Sequence, residues 1–180
     1  MADKVKYGVK NVHYALVTSS GYGTPASMPG AVSLSLSPNG DRNDFYADDI
    51  RYFVTVANNG YDCELEVAYV PEAFLENVLG VQKDGTAKAY YETAAQQPKP
   101  FALMFEEEGD ETGTKYVLYN CIAQRPSRNL ATTTDTIEPQ TQTITIAALP
   151  KSTGETLAFT GPETTTTVLS GWYTSVWQHS

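Results

Sequence analysis

A change of hydrophobic period between residues 52 and 80 constrains this chain more than any other stretch. Over 52–56 and 63–69 the apolar residues fall on every second position, Tyr52, Val54 and Val56, then Cys63, Leu65, Val67 and Tyr69. That is the period of a strand with one buried face. Asn58, Asn59 and Gly60 between the runs tolerate positive φ, which predicts that the two fold back on each other as a hairpin. At Pro71 the period becomes helical: Phe74, Leu75, Val78 and Leu79 make one stripe, while Glu72, Glu76 and Asn77 point elsewhere. Pro71 suits a first turn, Glu72 the positive end of the helix dipole, and Gly80 a C′ stop. A helix over about 71–80 is too short to persist alone in water. It must lie on a sheet, its stripe against Leu65 and Val67.

Alternation elsewhere predicts further strands. Residues 9–18 are apolar on both phases, which suits a strand covered on both sides. Residues 31–37 set Val32, Leu34 and Leu36 against Ser33, Ser35 and Ser37. Residues 101–106 and 116–123 read as a second hairpin with a charged tip, and 140–148 sets Thr141, Thr143 and Thr145 against Ile144 and Ile146. Residues 155–160 and 165–177 read as one or two added strands, the latter with exposed Trp172, Tyr173 and Trp177. With 13 Gly and 10 Pro breaking the runs, the fold class is mainly β: a two-sheet sandwich or partial barrel with one short flanking helix and long inter-strand loops. Residues 1–150 form the main domain, with an arm at 1–8 and a long loop at 38–51; 151–180 is an extension. The loop carries Asp41, Phe45, Tyr46, Asp48 and Ile50, and loops of about 12 or more residues without structure of their own often have a job. Its apolar residues need a surface, either on this subunit or on a neighbour.

The formal charge of −9 argues against ordinary nucleic-acid binding, which draws on Lys and Arg to displace counterions. The amino terminus lacks the apolar run of a signal peptide, and no stretch reaches the ~20 apolar residues of a membrane span, so a cytoplasmic origin without membrane attachment is expected. Cys63 and Cys121 fall on apolar phases and read as buried free thiols. Two distant histidines and two cysteines without C-x-x-C spacing give no support for zinc, and the acidic loop lacks the pattern of a calcium site. No phosphate loop or nucleophile elbow occurs. Glu64 and Glu66, two apart, share one strand face and read as solvent-facing carboxylates. The expectation is no enzyme, with no catalytic residue, metal or cofactor.

Seven stretches in order carry a resemblance: KVKYGVKNVHYA at 4–15, PGAVSLSL at 29–36, FYAD at 45–48, VANNGY at 56–61, KPFAL at 99–103, YVLYNC at 116–121 and IEPQT at 137–141. From about Lys4 to Ala148 the chain resembles the major tail proteins of long-tailed, non-contractile phages or related prophages of Gram-positive bacteria; beyond Lys151 there is no resemblance. The resemblance implies a virion protein, assembled in the host cytoplasm, that forms hexameric rings stacked into the tail tube. Its partners would be further copies of itself, the tape measure, the tail terminator and the distal tail protein, with double-stranded DNA passing through unbound. Six copies giving four strands each, ~4.8 Å apart and tilted by ~40°, close at a radius of about 25 Å, a bore wider than a duplex. On that reading Glu64 and Glu66 line the bore with Ser33, Ser35, Thr141 and Thr143, and their charge keeps phosphates from sticking. Phe45, Tyr46, Ile50, Asp41 and Asp48 would contact a neighbouring subunit or ring, and Lys4 and Tyr7 of the arm would add to a neighbour's edge.

Two other classes remain in view on sequence. One is a different phage structural role, a head-to-tail connector or a head decoration protein. The other is a monomeric β-sandwich carbohydrate-binding or adhesin module using Tyr22, Tyr46, Trp172 and Trp177 as stacking platforms.

Overall fold

The structure, a computed structural model, describes residues 7–109, 113–132 and 139–179. Lys4 lies outside them, as do the side chain of Tyr7 and the tip at 110–112. In chain order the strands are β1 (Tyr7–Thr18), β2 (Gly21–Tyr22), β3 (Ala26–Ser27), β4 (Ala31–Asn39), β5 (Arg42–Ala47), β6 (Ile50–Val56), β7 (Gly60–Val67), β8 (Gln82–Lys83), β9 (Tyr90–Tyr91), β10 (Phe101–Glu108), β11 (Lys115–Ala123), β12 (Ser127–Arg128), β13 (Gln142–Leu149) and β14 (Leu157–Phe159). Helix α1 (Glu72–Asn77) follows β7, and α2 (Thr166–Gly171) follows β14.

Ten strands make one antiparallel sheet in the order β2-β1-β10-β11-β13-β7-β4, with β3, β12 and β14 as side branches. The sheet turns a corner at β11, whose residues 116–118 pair with β14 while 120–123 pair with β13. The result is a sandwich of two layers. One layer contains β14, β11, β10 and β1; the other runs β12-β13-β7-β4. On the side away from the corner β1 lies against β4 without a ladder between them. The mainly β, sandwich-like architecture is the one read from the sequence.

Between the layers sits the larger core, which includes Tyr14, Leu65, Val67, Phe101, Leu118, Ile144 and Ile146. Helix α1 covers its end as expected: Phe74, Val78 and Leu79 are buried, Leu75 packs beside them, and Phe74 meets Tyr14 and Phe101 edge to face at 5.0 and 5.5 Å. Each such side chain contributes roughly 1.5–3 kcal/mol by leaving water. Pro71 starts the helix and Gly80, at φ 74°, follows it.

Three expectations fail. The runs 52–56 and 63–69 do not pair: β6 pairs with β5, and β7 pairs with β4 and β13. Asn58 to Gly60 is a bend, not the turn of a hairpin. Residues 38–51 are not a loop either, since they hold the end of β4, all of β5 and a two-residue turn at Asp48 and Asp49, both with positive φ (53° and 61°), the conformation of a tight hairpin. The four strands therefore form one long bent ribbon, continuous through Asn59 N–H to Asn39 O at 2.8 Å and Ala57 N–H to Asp41 O at 2.9 Å. At the elbow a Cβ on Gly40 would stand 1.9 Å from the Ala57 carbonyl oxygen, and one on Gly60 1.9 Å from that of Ala148. Only glycine fits at either place.

The third failure concerns the carboxyl-terminal region. Residues 165–177 are not a strand: they hold α2, which makes two helices rather than one, and Trp172 is buried at 2 % exposure. Trp172 and Val176 cover the outer face of the first layer over Ala15, Ala102, Met104, Val117 and Tyr119, a second core. This explains why β1 and β10 are apolar on both phases.

Candidate functional site

The second layer presents one face to the core and the other to solvent, and the period of two decides which residues go where. Across β4, β7 and β13 the outward residues align in rows. Ser33 stands opposite Glu66 and Glu66 opposite Thr143; Ser35, Glu64 and Thr145 make the next row, and Ser37, Asp62 and Ala147 the third. All six residues expected to share a face, Glu64, Glu66, Ser33, Ser35, Thr141 and Thr143, are on it. Glu66 accepts hydrogen bonds from Thr141 Oγ1 at 2.5 Å and Ser33 Oγ at 3.0 Å, which hold its carboxyl below the usual range. Asn39 donates to Asp62 Oδ2 at 3.0 Å. Thr145, set beside Thr141 and Thr143 by the alternation of the sequence, is on the face too; sequence reasoning missed Asp62, which continuing the alternation of β7 by one step finds.

The face is thus a plane of hydroxyls and carboxylates with no side-chain cation among its three rows. Chemically it offers acceptors and negative charge to whatever lies against it, and it discourages phosphates.

The second feature is the outer half of the ribbon. Strands β5 and β6 stand clear of the sandwich, and Phe45, Tyr46, Ile50, Tyr52, Phe53, Val54 and Val56 are between 40 and 73 % exposed. By register Phe45 lies opposite Phe53 and Ala47 opposite Ile50, which puts Phe45, Phe53 and Ile50 on one side. The other side carries Asp44, held by Arg42 at 2.8 Å and Arg51 at 3.7 Å. Asp41 lies at the elbow and Asp48 in the turn. An isolated two-stranded hairpin is marginal in water, and a contiguous exposed apolar patch marks a contact surface. Phe45, Tyr46 and Ile50, expected to contact a neighbour, are exposed as such a contact requires; Tyr52, Val54 and Val56, read from their alternation as a buried face, are exposed as well.

Elsewhere buried polar side chains are held by packing and pairing, apart from the Tyr119 hydroxyl and the Trp172 indole N–H, which are buried without a hydrogen-bond partner among the described residues. Glu106 is buried against Asn11 at 3.0 Å, Lys10 at 3.5 Å and the Tyr173 hydroxyl at 3.5 Å, which ties the carboxyl-terminal segment to β1 and β10. The Cys63 thiol is pushed up to about 11, mainly by burial, and burial also raises that of Cys121. Trp172, buried and stacked on Trp177 at 6.2 Å, is not a stacking platform for a sugar. Among the described residues no three His, Cys, Asp or Glu side chains converge as a metal site would require. A cleft of about 440 Å³ between residues 92–98 and the end of β11 is bridged by Arg125 and Glu92 at 3.2 Å.

No family model and no curated protein matches this chain. Among solved structures, a chain from the anti-feeding prophage cap, described as the tube terminating cap, aligns with a TM-score of 0.53 at 14 % identity, covering 87 % of this chain and 93 % of that one. A chain from the anti-feeding prophage baseplate aligns with a TM-score of 0.47 at 10 % identity over 89 % of this chain and 99 % of that one. The fold of this chain is shared with a component of the terminating cap.

Proposed function

We propose that the chain is a structural subunit of a phage tail or phage-derived tail-like particle and, more finely, the subunit that stacks in hexameric rings as the tail tube. The observation that carries this reading is the uncovered face of β12-β13-β7-β4: the first layer is buried on both sides, while this layer leaves rows of Ser, Thr, Glu and Asp open. Such a face suits the wall of a conduit past which DNA slides without binding. The exposed apolar ribbon supplies what a stacked ring needs, a projection that is stable only when a neighbour covers it. The seven ordered sequence stretches and the fold shared with a tube terminating cap support the same class.

Electron microscopy of the purified protein tests it: hollow tubes or rings are expected, and a protein that sediments only as a monomer at high concentration overturns it. In virions, replacing Glu64 and Glu66 together by lysine should slow or halt genome ejection; unchanged ejection kinetics would remove the two from the channel wall. The likeness to a terminating cap favours one second reading, a subunit that closes a tube rather than builds it. That protein would give isolated rings and no tubes at any concentration.

A further inference from the structure

The carboxyl-terminal segment lies on the sandwich without belonging to its ladders. The chain's last backbone tie to the sheet is at Thr160, whose N–H donates to Lys115 O at 2.9 Å and whose Oγ1 accepts from Lys115 N–H at 2.9 Å. Beyond it, no backbone hydrogen bond among the described residues joins 161–179 to the sandwich. The bonds the segment does make are internal: Thr164 N–H to Gly161 O, Leu169 N–H to Thr165 O, and the N–H groups of Thr174 and Ser175 to Gly171 O.

Side-chain contacts hold it in place. Trp172 and Val176 are buried over Ala15, Ala102, Met104, Val117 and Tyr119, with Val168, Tyr173 and Trp177 partly buried beside them. Lys115 Nζ donates to Leu169 O at 2.7 Å and stands 5.3 Å over the Tyr173 ring. His13 lies against the same ring at 4.5 Å, and the Tyr173 hydroxyl reaches Glu106 at 3.5 Å. The seat is imperfect: the indole N–H of Trp172 and the hydroxyl of Tyr119 are buried there without a partner among the described residues, and a polar group cut off from water without one weakens the seated state. Helix α2, six residues long, is too short to persist once released. The sandwich beneath needs nothing from the segment, which contributes no residue to the larger core.

We propose that residues 161–179 form a strap that lifts from the sandwich as one piece while both layers stay folded. Few buried apolar side chains and no shared ladder set the opening free energy of a segment below that of the whole molecule. Gly161, where an added Cβ would meet nothing within 4 Å, is the hinge. Seated, the strap keeps the apolar outer face of β1, β10 and β11 from other molecules; lifted, it bares that face. The inference stands apart from the tube reading above and holds whether or not the chain forms rings.

Thiol labelling of the full-length chain tests it, with the native cysteines as internal standards. Cys63 and Cys121 lie in the larger core at 0 % exposure, and Ala102, also 0 % exposed, lies under the strap. In Ala102→Cys, a maleimide under native conditions should modify the introduced thiol at least about tenfold faster than Cys63 or Cys121, read by peptide mass spectrometry. Equal rates at all three positions would mean that only global unfolding opens the face, and would overturn the proposal. Adding Trp172→Ala should speed the introduced thiol further and leave Cys63 and Cys121 protected. Loss of their protection would overturn it, since strap and sandwich would then be one cooperative unit. Because the added thiol sits in the seat itself, the unaltered chain supplies a second measurement. The chain has 2 tryptophans, Trp172 and Trp177, both in the strap, so their emission reports its seating. As urea is added, that emission should shift to the red at a lower concentration than the one at which the far-ultraviolet β signal is lost; a single coincident transition would overturn the proposal.

Discussion

The two halves of the bent ribbon are built from the same chain segments and meet opposite fates. In the inner half β7 buries Cys63, Leu65 and Val67 completely and shows only Asp62, Glu64 and Glu66 outside. In the outer half β5 and β6 bury almost nothing, although Phe45, Phe53 and Ile50 are as apolar as any core residue. Alternation thus states that a strand has two unlike faces, but not what will cover the apolar one. In the inner half the cover is the rest of this chain. In the outer half, on the reading proposed above, it is another copy.

The largest effect that could break this contrast is a charge in the inner half. Leu65→Asp should leave no soluble folded protein, because an unpaired carboxylate buried among apolar groups exceeds the few kcal/mol by which domains are stable; Leu65→Ala should cost about 2–5 kcal/mol in urea denaturation. Gly60→Val comes next. Its side chain would collide with the Ala148 backbone, so a fall in the melting temperature of many degrees is expected, and an unchanged value would show that the elbow can relax.

The same chemical change outside should do the reverse. Phe45→Asp with Phe53→Asp should alter unfolding free energy by no more than ~0.5 kcal/mol per site, while abolishing tubes in electron micrographs; tubes of normal length would refute a contact role for the outer half. Excising residues 42–56 is the cleaner version, since Asp41 and Ala57 are already hydrogen-bonded to each other.

The smallest effect sharpens the polar side of the inner half. Hydrogen bonds from Thr141 and Ser33 lower the folded carboxyl value of Glu66, so its contribution is present above the unfolded carboxylate value of about 4.3 and is lost as pH falls through the folded one. The stability gap between wild type and Glu66→Gln should therefore narrow as denaturation is repeated from pH 7 into the acid range. A gap independent of pH would mean that those hydrogen bonds do not favour the ionised form.

Much of the open face was legible in the sequence because period two is strict: once Leu65 and Val67 point inward, Glu64 and Glu66 must point out, and the serines of β4 and threonines of β13 follow. Pairing was harder to read. Asn58-Asn59-Gly60 has the chemistry of a turn but serves as a bend, whereas the actual turn is Asp48-Asp49, which strains two side-chain-bearing residues into positive φ. Phe45 and Tyr46 are adjacent and both exposed, so no alternation betrayed β5. Residues 165–177 read as a strand because Thr and Val favour one. Packing of Trp172 over Ala102 and Met104 decided otherwise, and tertiary contacts of that kind leave no local signal.

The elbow glycines separate the projection from the body. Backbone touches backbone there, Gly40 against Ala57 and Gly60 against Ala148, and among the described strands β5 and β6 pair only with each other, so the outer half can change its amino acids with little disturbance to the packing beneath. On the reading proposed above, related assemblies built side by side could be kept from mixing by revising that projection alone, while the polar face and the core stay as they are.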